Sequence, residues 1–322
     1  KKSPPSVEGF FLPRRLYESL YLYFTYFIGY LMAFEPVFQT TPHLLKVLED
    51  ISALNARIQS ATVGVSWIPA LQRDAAARQT HGSTAIEGNP LTLAEVKILA
   101  EGGHLPHAKP RAVQEVLNYF AALRFIEKNA QAKEVHVRDV LKLHSIIGQK
   151  GALDREPVGL FRPYQVRVGM HLPPKASEVP GLMSQLLEWL NGAGRAWPAV
   201  VSSAILHYQF EFIHPFGDGN GRVGRALGAW QLYRRRLDTS HIFAVDEVLL
   251  EDRQGYYRAL HRAQTQANDL TGWVEYIAET VNEALERAWK RIGSVNISPL
   301  GLQLTLTPKQ EKLLSLLREN DL

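Results

Sequence analysis

The strongest constraint in this chain is a twelve-residue joint, His214-Pro215-Phe216-Gly217-Asp218-Gly219-Asn220-Gly221-Arg222-Val223-Gly224-Arg225, set between two apolar stretches. Ala199 to Ile213 has helical spacing, and Val223 to Tyr233 reads as a second helix through Ala226, Leu227, Ala229, Trp230 and Leu232. The joint therefore predicts a helix–loop–helix with Gly219-Asn220-Gly221 where the second helix begins. Glycines at that point let backbone approach a ligand closely. A helix start presents unpaired N–H groups and partial positive charge, which suits phosphate. Arg222 and Arg225 are three apart, so they share a helix face, and their planar forks fit phosphate oxygens. Asp218 is a hard oxygen ligand suited to Mg²⁺ bound with phosphates. His214 can titrate near neutrality and take a proton from a hydroxyl. Gly, Asp and Asn also make ordinary turns. An ordinary turn, however, gives no reason for a base, an acid and two arginines to share one loop.

The stretch resembles HPFxDGNGRxxR, the signature of the Fic family of nucleotidyltransferases, with every specified position present. The resemblance implies AMP transfer from ATP to a Ser, Thr or Tyr hydroxyl of a protein. It gives His214 the role of base and Asp218 that of Mg²⁺ ligand. Gly219, Asn220 and Gly221 would cradle the phosphates, and Arg222 and Arg225 would clamp the outer ones. The kinase-like Doc branch carries Lys where Gly221 stands, so this chain is similar to the AMP-transferring branch.

Upstream, Ala70 to His81 predicts an alanine-rich helix that leads into Ser83-Thr84-Ala85-Ile86-Glu87-Gly88-Asn89-Pro90. Gly88 followed by Asn89-Pro90 is a helix end. Beyond that backbone role, the segment resembles the family's inhibitory motif, [ST]xxxE[GN], with Ser83, Glu87 and Gly88 in its defining places. The resemblance implies that Glu87 reaches Arg225 and displaces the γ-phosphate from productive binding. A carboxylate and a phosphate would compete for one guanidinium fork. The motif precedes the signature, as in the class with an amino-terminal inhibitory helix. Some members of that class remove AMP from targets, and Glu87 leaves this reaction open as an alternative. A Fic-domain regulator that binds DNA in a longer protein is another.

Gly159 to Gly169 is the one convincing strand region, with Tyr164, Val166 and Val168 alternating with Gln165 and Arg167. An open strand edge can recruit another chain. In the Fic family the equivalent hairpin is a flap that holds the target by strand addition, so a target protein is expected to dock near Val166. Val168, Gly169, Met170 and His171 resemble the part of the flap that lies over the nucleotide. Further on, Tyr256, Tyr257 and Gln264 stand where the family's adenine pocket has a tyrosine pair and an amide. Tyr257 and Gln264 are seven apart, two helical turns, and can face one pocket; many members have Asn at the place of Gln264. The tyrosines could equally be core aromatics.

The rest of the chain predicts helices over Thr41–Ser60, Leu91–Ala100 with a Thr92/Glu95 capping box, Arg111–Lys128, Val137–Ile147, Val179–Leu190 and Thr271–Arg291. His144 falls on an apolar helix flank and reads as a packed histidine. Thr307-Pro308 opens a helix that resembles the start of a winged-helix module; with no recognition helix following it, no nucleic-acid binding is expected of these residues. The expected organisation is an aromatic segment at 1–40, a Fic domain with its inhibitory helix at 41–292, and a linker with a winged-helix-like start at 293–322. The fold class is mainly α, a Fic-type helical domain with one β-hairpin flap. Ser19 to Phe34 is uncharged but, at sixteen residues, shorter than the ~20 that span a bilayer. A packed aromatic helix or a homodimer contact is favoured there over a membrane anchor. The net charge of +4 is small for 322 residues, and the absence of cysteine excludes disulfides and thiol chemistry. A cytoplasmic protein of bacterial type is expected, with ATP and Mg²⁺ as cofactors.

Overall fold

The computed structural model describes residues 34–61, 68–154, 157–237, 240–266 and 268–296. The aromatic run before residue 34 and the winged-helix-like segment at 297–322 lie outside them. Eleven α-helices occur among the described residues: α1 Pro42–Ser60, α2 Ile68–Ile86, α3 Leu93–Ala100, α4 Pro110–Lys128, α5 Val137–Gly148, α6 Val179–Asn191, α7 Ala199–Ile213, α8 Asn220–Arg234, α9 Val245–Glu251, α10 Arg253–Thr265 and α11 Thr271–Asn296. None is long and apolar enough to cross a membrane.

The centre is the α7–α8 pair. α7 is apolar on nearly every side, which fits a helix enclosed by others rather than one lying on a surface. Ser202 meets Gln231 and Ser203 meets Gly228, so the two helices run antiparallel around the six-residue joint 214–219. They approach closely at Gly224, where a Cβ would lie 2.3 Å from the Glu211 Oε1. Around this pair, α11 packs on α7 and α1, α9 on α2, and α4 on α5. Local signals set the ends. Thr41 caps α1 through the Leu44 amide, and Thr92 with Glu95 forms the expected capping box on α3.

Two expectations are corrected. The second helix does not stop at His81 but runs to Ile86. Gly82, Ser83 and Thr84 are buried, Gly82 against α9 and Ser83 against Arg225 of α8, and the Thr84 hydroxyl bonds back to the Thr80 carbonyl, so packing overrides the weak helix preference of Ser and Thr. The helix then closes at Gly88, with φ +93° and the Asn89 amide returning to the Thr84 carbonyl.

The second correction concerns the flap. Its segment forms no β-ladder; it makes one antiparallel bridge, Val168 with His171, around a turn at Gly169-Met170. Side chains take the carbonyls that a partner strand would use. Arg162 bonds the carbonyls of Tyr164 and Pro174, and Gln165 bonds those of Val166 and Pro173. Pro173 and Pro174 offer no amides of their own. Val166 is buried, whereas Tyr164 and Val168 are exposed, so the alternation does not extend along the segment.

Candidate active site

His214 closes α7 in the left-handed conformation, φ +49°. Its imidazole is mostly enclosed, with 16% of the side chain exposed, and Nδ1 lies 3.8 Å from the Glu211 Oε2. Burial, assisted by Arg162 and His171, lowers its pKa to about 4, and a hydrogen bond to the Glu211 backbone carbonyl opposes this only in part. At neutral pH the ring is therefore neutral, with the proton on the Glu211 side and a free lone pair on the other nitrogen. Glu211 is itself buried, which pushes its carboxyl up to about 8, against the influence of Arg225.

The loop is shaped from within. Asn220 clamps Phe216 with two bonds of 2.9 Å, accepting from its amide and donating to its carbonyl. The Asn220 side chain thus builds the loop, and the first turn of α8 supplies the anion-facing backbone. Phe216 stacks on His144 at 3.7 Å. His144 accepts from the Gly159 amide through Nδ1 and so presents Nε2–H to the Asp218 carbonyl at 3.0 Å. Asp218 turns its carboxylate to the amides of Asp154 and Gly219, at 2.8 and 2.5 Å, with Arg222 at 3.4 Å. No group of three or more His, Cys, Asp or Glu that could hold a metal occurs among the described residues. A lone carboxylate at a phosphate-type helix start fits Mg²⁺, which is commonly bound by one carboxylate together with substrate phosphates.

The most informative geometry lies above Gly221. A Cβ built there would fall 2.2 Å from Oε1 of Glu87, so this carboxylate sits directly over the start of α8. The same oxygen accepts from Arg225 Nη2 at 2.7 Å. Ser83, on the last turn of α2, accepts from Arg225 Nε through its hydroxyl at 2.8 Å and from Nη2 through its carbonyl at 2.9 Å. Asp246 stands 3.8 Å away; its carboxylate accepts from the Tyr119 hydroxyl, and its backbone amide donates to the Gln79 side-chain oxygen. Burial alone would weaken the charge on Arg225; Glu87 and the groups behind it outweigh that, and its pKa is raised. Arg222 is also buried, between Asp218 and Glu115.

The other expected residues divide. Tyr257 is exposed beside the Glu87 end of α2, and its hydroxyl lies 3.5 Å from the Ile86 carbonyl. Tyr256 points inward and bonds His207 at 3.1 Å, so the pair does not line one surface. Gln264 is partly buried two turns further along α10. On the flap, His171 bonds the Phe212 carbonyl at 2.9 Å, while Met170 at the tip is 82% exposed. Sequence reasoning missed Arg162, Glu211, Asp154 and the supporting part of His144. Glu211 was within reach, because a residue three before His214 shares its helix face. Arg162 left no such signal, because its partners are backbone carbonyls.

Comparison with known proteins shows the family to which this helical domain belongs. The Fic/DOC family profile matches residues 134–232. A Fic family protein from Desulfovibrio desulfuricans G20, solved by crystallography, is 31% identical with a TM-score of 0.71, over 80% of this chain and 77% of that one. The chain belongs to the Fic/DOC family. Its relatives include the protein adenylyltransferase fic-1 of Caenorhabditis briggsae, 30% identical over 249 residues, which cover 76% of this chain and 46% of that protein. The protein adenylyltransferase Fic of Drosophila willistoni is 29% identical, over 74% of this chain and 47% of that one. This chain thus spans about half the length of the curated relatives it matches.

Proposed function

We propose that this protein transfers AMP from ATP to a hydroxyl of a protein, and that Glu87 restrains the reaction. The observation that carries the reading is the Glu87 carboxylate lying over Gly221 and bonded to Arg225, an anion already seated where a helix start and a guanidinium invite phosphate. ATP would place its outer phosphates on the first turn of α8, between Arg222 and Arg225. Mg²⁺, held by Asp218 and the phosphates, would supply charge neutralisation at the phosphoryl groups. The α8 amides and the arginines stabilise the charge that builds on the phosphoryl oxygens as the hydroxyl attacks the α-phosphorus. His214 takes the hydroxyl proton on its free nitrogen, and pyrophosphate leaves. The flap tip, with Val168, Met170 and Leu172 exposed, offers the target an apolar edge. Tyr257 and Gln264 are the adenine-side residues in this reading, with Val168 to His171 closing over the nucleotide.

Intact-mass spectrometry of the protein incubated with each nucleoside triphosphate and Mg²⁺ tests the reaction. A mass increase of one AMP with ATP supports it, and labelling by none of them overturns it. The pH dependence follows from His214. Its pKa is lowered from 6.5 to about 4, so the neutral, proton-accepting form persists well into acid. The labelling rate should fall only as pH drops through about 4–5, and it should be flat from about pH 6 upward. A half-maximal rate near 6.5 would mean that the acting base is a solvated imidazole.

A further inference from the structure

Arg162 is 1% exposed, and its guanidinium is surrounded by backbone oxygens. Nε donates to the His214 carbonyl at 2.8 Å, and Nη2 donates to those of Pro174 at 2.6 Å and Ile213 at 3.5 Å. Nη1 donates to the Tyr164 carbonyl at 2.9 Å, and the Arg162 amide donates to that of Pro215 at 2.9 Å. These acceptors form two groups. Ile213, His214 and Pro215 mark the carboxyl end of α7, where a helix leaves carbonyls unpaired and carries partial negative charge. Tyr164 and Pro174 are the two arms of the flap. One planar cation therefore joins the backbone of the base to both arms of the substrate edge. His214 has positive φ, a conformation that a residue with a Cβ keeps only where its surroundings fix it. Arg162 holds the carbonyl on one side of that residue, and α7 holds its amide through Phe210.

We infer that Arg162 is a positioning residue that locks the flap and His214 into one unit, so that a segment held by the flap meets the imidazole at a fixed distance and angle. The inference rests on the reading of His214 as base and of the flap as the seat for the target. Lysine cannot replace it. A single ammonium lacks the planar fork that reaches carbonyls on both sides at once.

The test uses the full chain carrying Glu87→Gly, with Arg162→Ala and Arg162→Lys added separately. Residue-resolved amide hydrogen exchange, binding of a non-hydrolysable ATP analogue with Mg²⁺, and self-labelling from ATP are measured on each. Arg162→Ala should speed exchange at Val168, His171 and His214 together and leave the α11 amides unchanged. Labelling should fall about 100-fold, the usual result of misplacing a reacting group by about 1 Å, with analogue affinity retained. Added methylguanidinium should restore part of the lost rate in Arg162→Ala, while Arg162→Lys should behave as the alanine variant does. Faster exchange at only one of the two places, or full labelling by either variant, overturns the inference. Faster exchange throughout, α11 included, in both variants assigns Arg162 to general stability and also overturns it. If the parent takes no label from ATP while the paired exchange response is present, the AMP-transfer reading fails and the coupling stands.

Discussion

Replacing His214 with alanine should lower self-labelling from ATP by ~10²–10⁴-fold, the range associated with loss of a general base. Binding of ATP should persist, because the groups placed to hold phosphate belong to α8 and not to the imidazole. The effect should be large because nothing nearby can substitute. The Glu211 carboxylate lies 3.8 Å from the imidazole, but burial keeps it protonated at neutral pH, with a pKa of about 8. His171 is engaged with the Phe212 carbonyl and packs against that ring. Position 214 has φ +49°, which alanine tolerates poorly, so His214→Asn is the companion variant: asparagine accepts the left-handed backbone and is no base. Both variants should be inactive with normal nucleotide affinity. Labelling within tenfold of the parent by either one would remove His214 from the reaction.

Glu87→Gly should act in the opposite direction and raise self-labelling by tenfold or more. A hydrogen bond to a charged partner contributes ~1.5–3 kcal/mol. Each 1.4 kcal/mol corresponds to about a factor of ten. Glu87 retains 31% of its side-chain exposure, which places the gain toward the lower end of that range. Removing the carboxylate does two things at once: it releases the Nη2–H of Arg225 that Glu87 held, while the bond to the Ser83 carbonyl stays, and it clears the space over Gly221. The double variant with Arg225→Ala should lose the gain, because the guanidinium released by the first change is absent. Unchanged or reduced labelling by Glu87→Gly would sink the restraint and favour a direct catalytic part for Glu87, such as aiming a water at an AMP–protein bond.

Much of this architecture could be read from the chain, and the failures have a common cause. The helices around Thr41, Thr92 and Val179 announce themselves through caps, prolines and apolar spacing, which are local properties. The joint is legible for the same reason: its glycines, its acid and its paired arginines all fall within twelve residues spanning the loop and the start of α8, where a plain turn would need only the glycines. Ser83 and Thr84 were harder. Their helical state depends on α9 and Arg225, which are distant in sequence and fill the space around them. The flap misled most. Alternation from Tyr164 to Val168 suggests a strand, but Arg162 and Gln165 occupy the carbonyls that a ladder needs. Asn220 illustrates the opposite limit. The motif places it among phosphate contacts, while its side chain is consumed in folding the loop onto Phe216.

The way Arg225 is mounted has a kinetic consequence. With Glu87 removed, the guanidinium would still be pinned by the Ser83 hydroxyl and carbonyl and faced by Asp246. Moving between the restrained and open arrangements then asks for reorientation of one partly exposed side chain, beside a helix end already closed by Gly88, and not for displacement of α2. Side chains of that kind change rotamer in picoseconds to nanoseconds, far faster than enzymes turn over. The restraint proposed for Glu87 would therefore have no memory. It would follow the nucleotide concentration of the moment, with no lag after ATP is added and no residual activity after it is withdrawn.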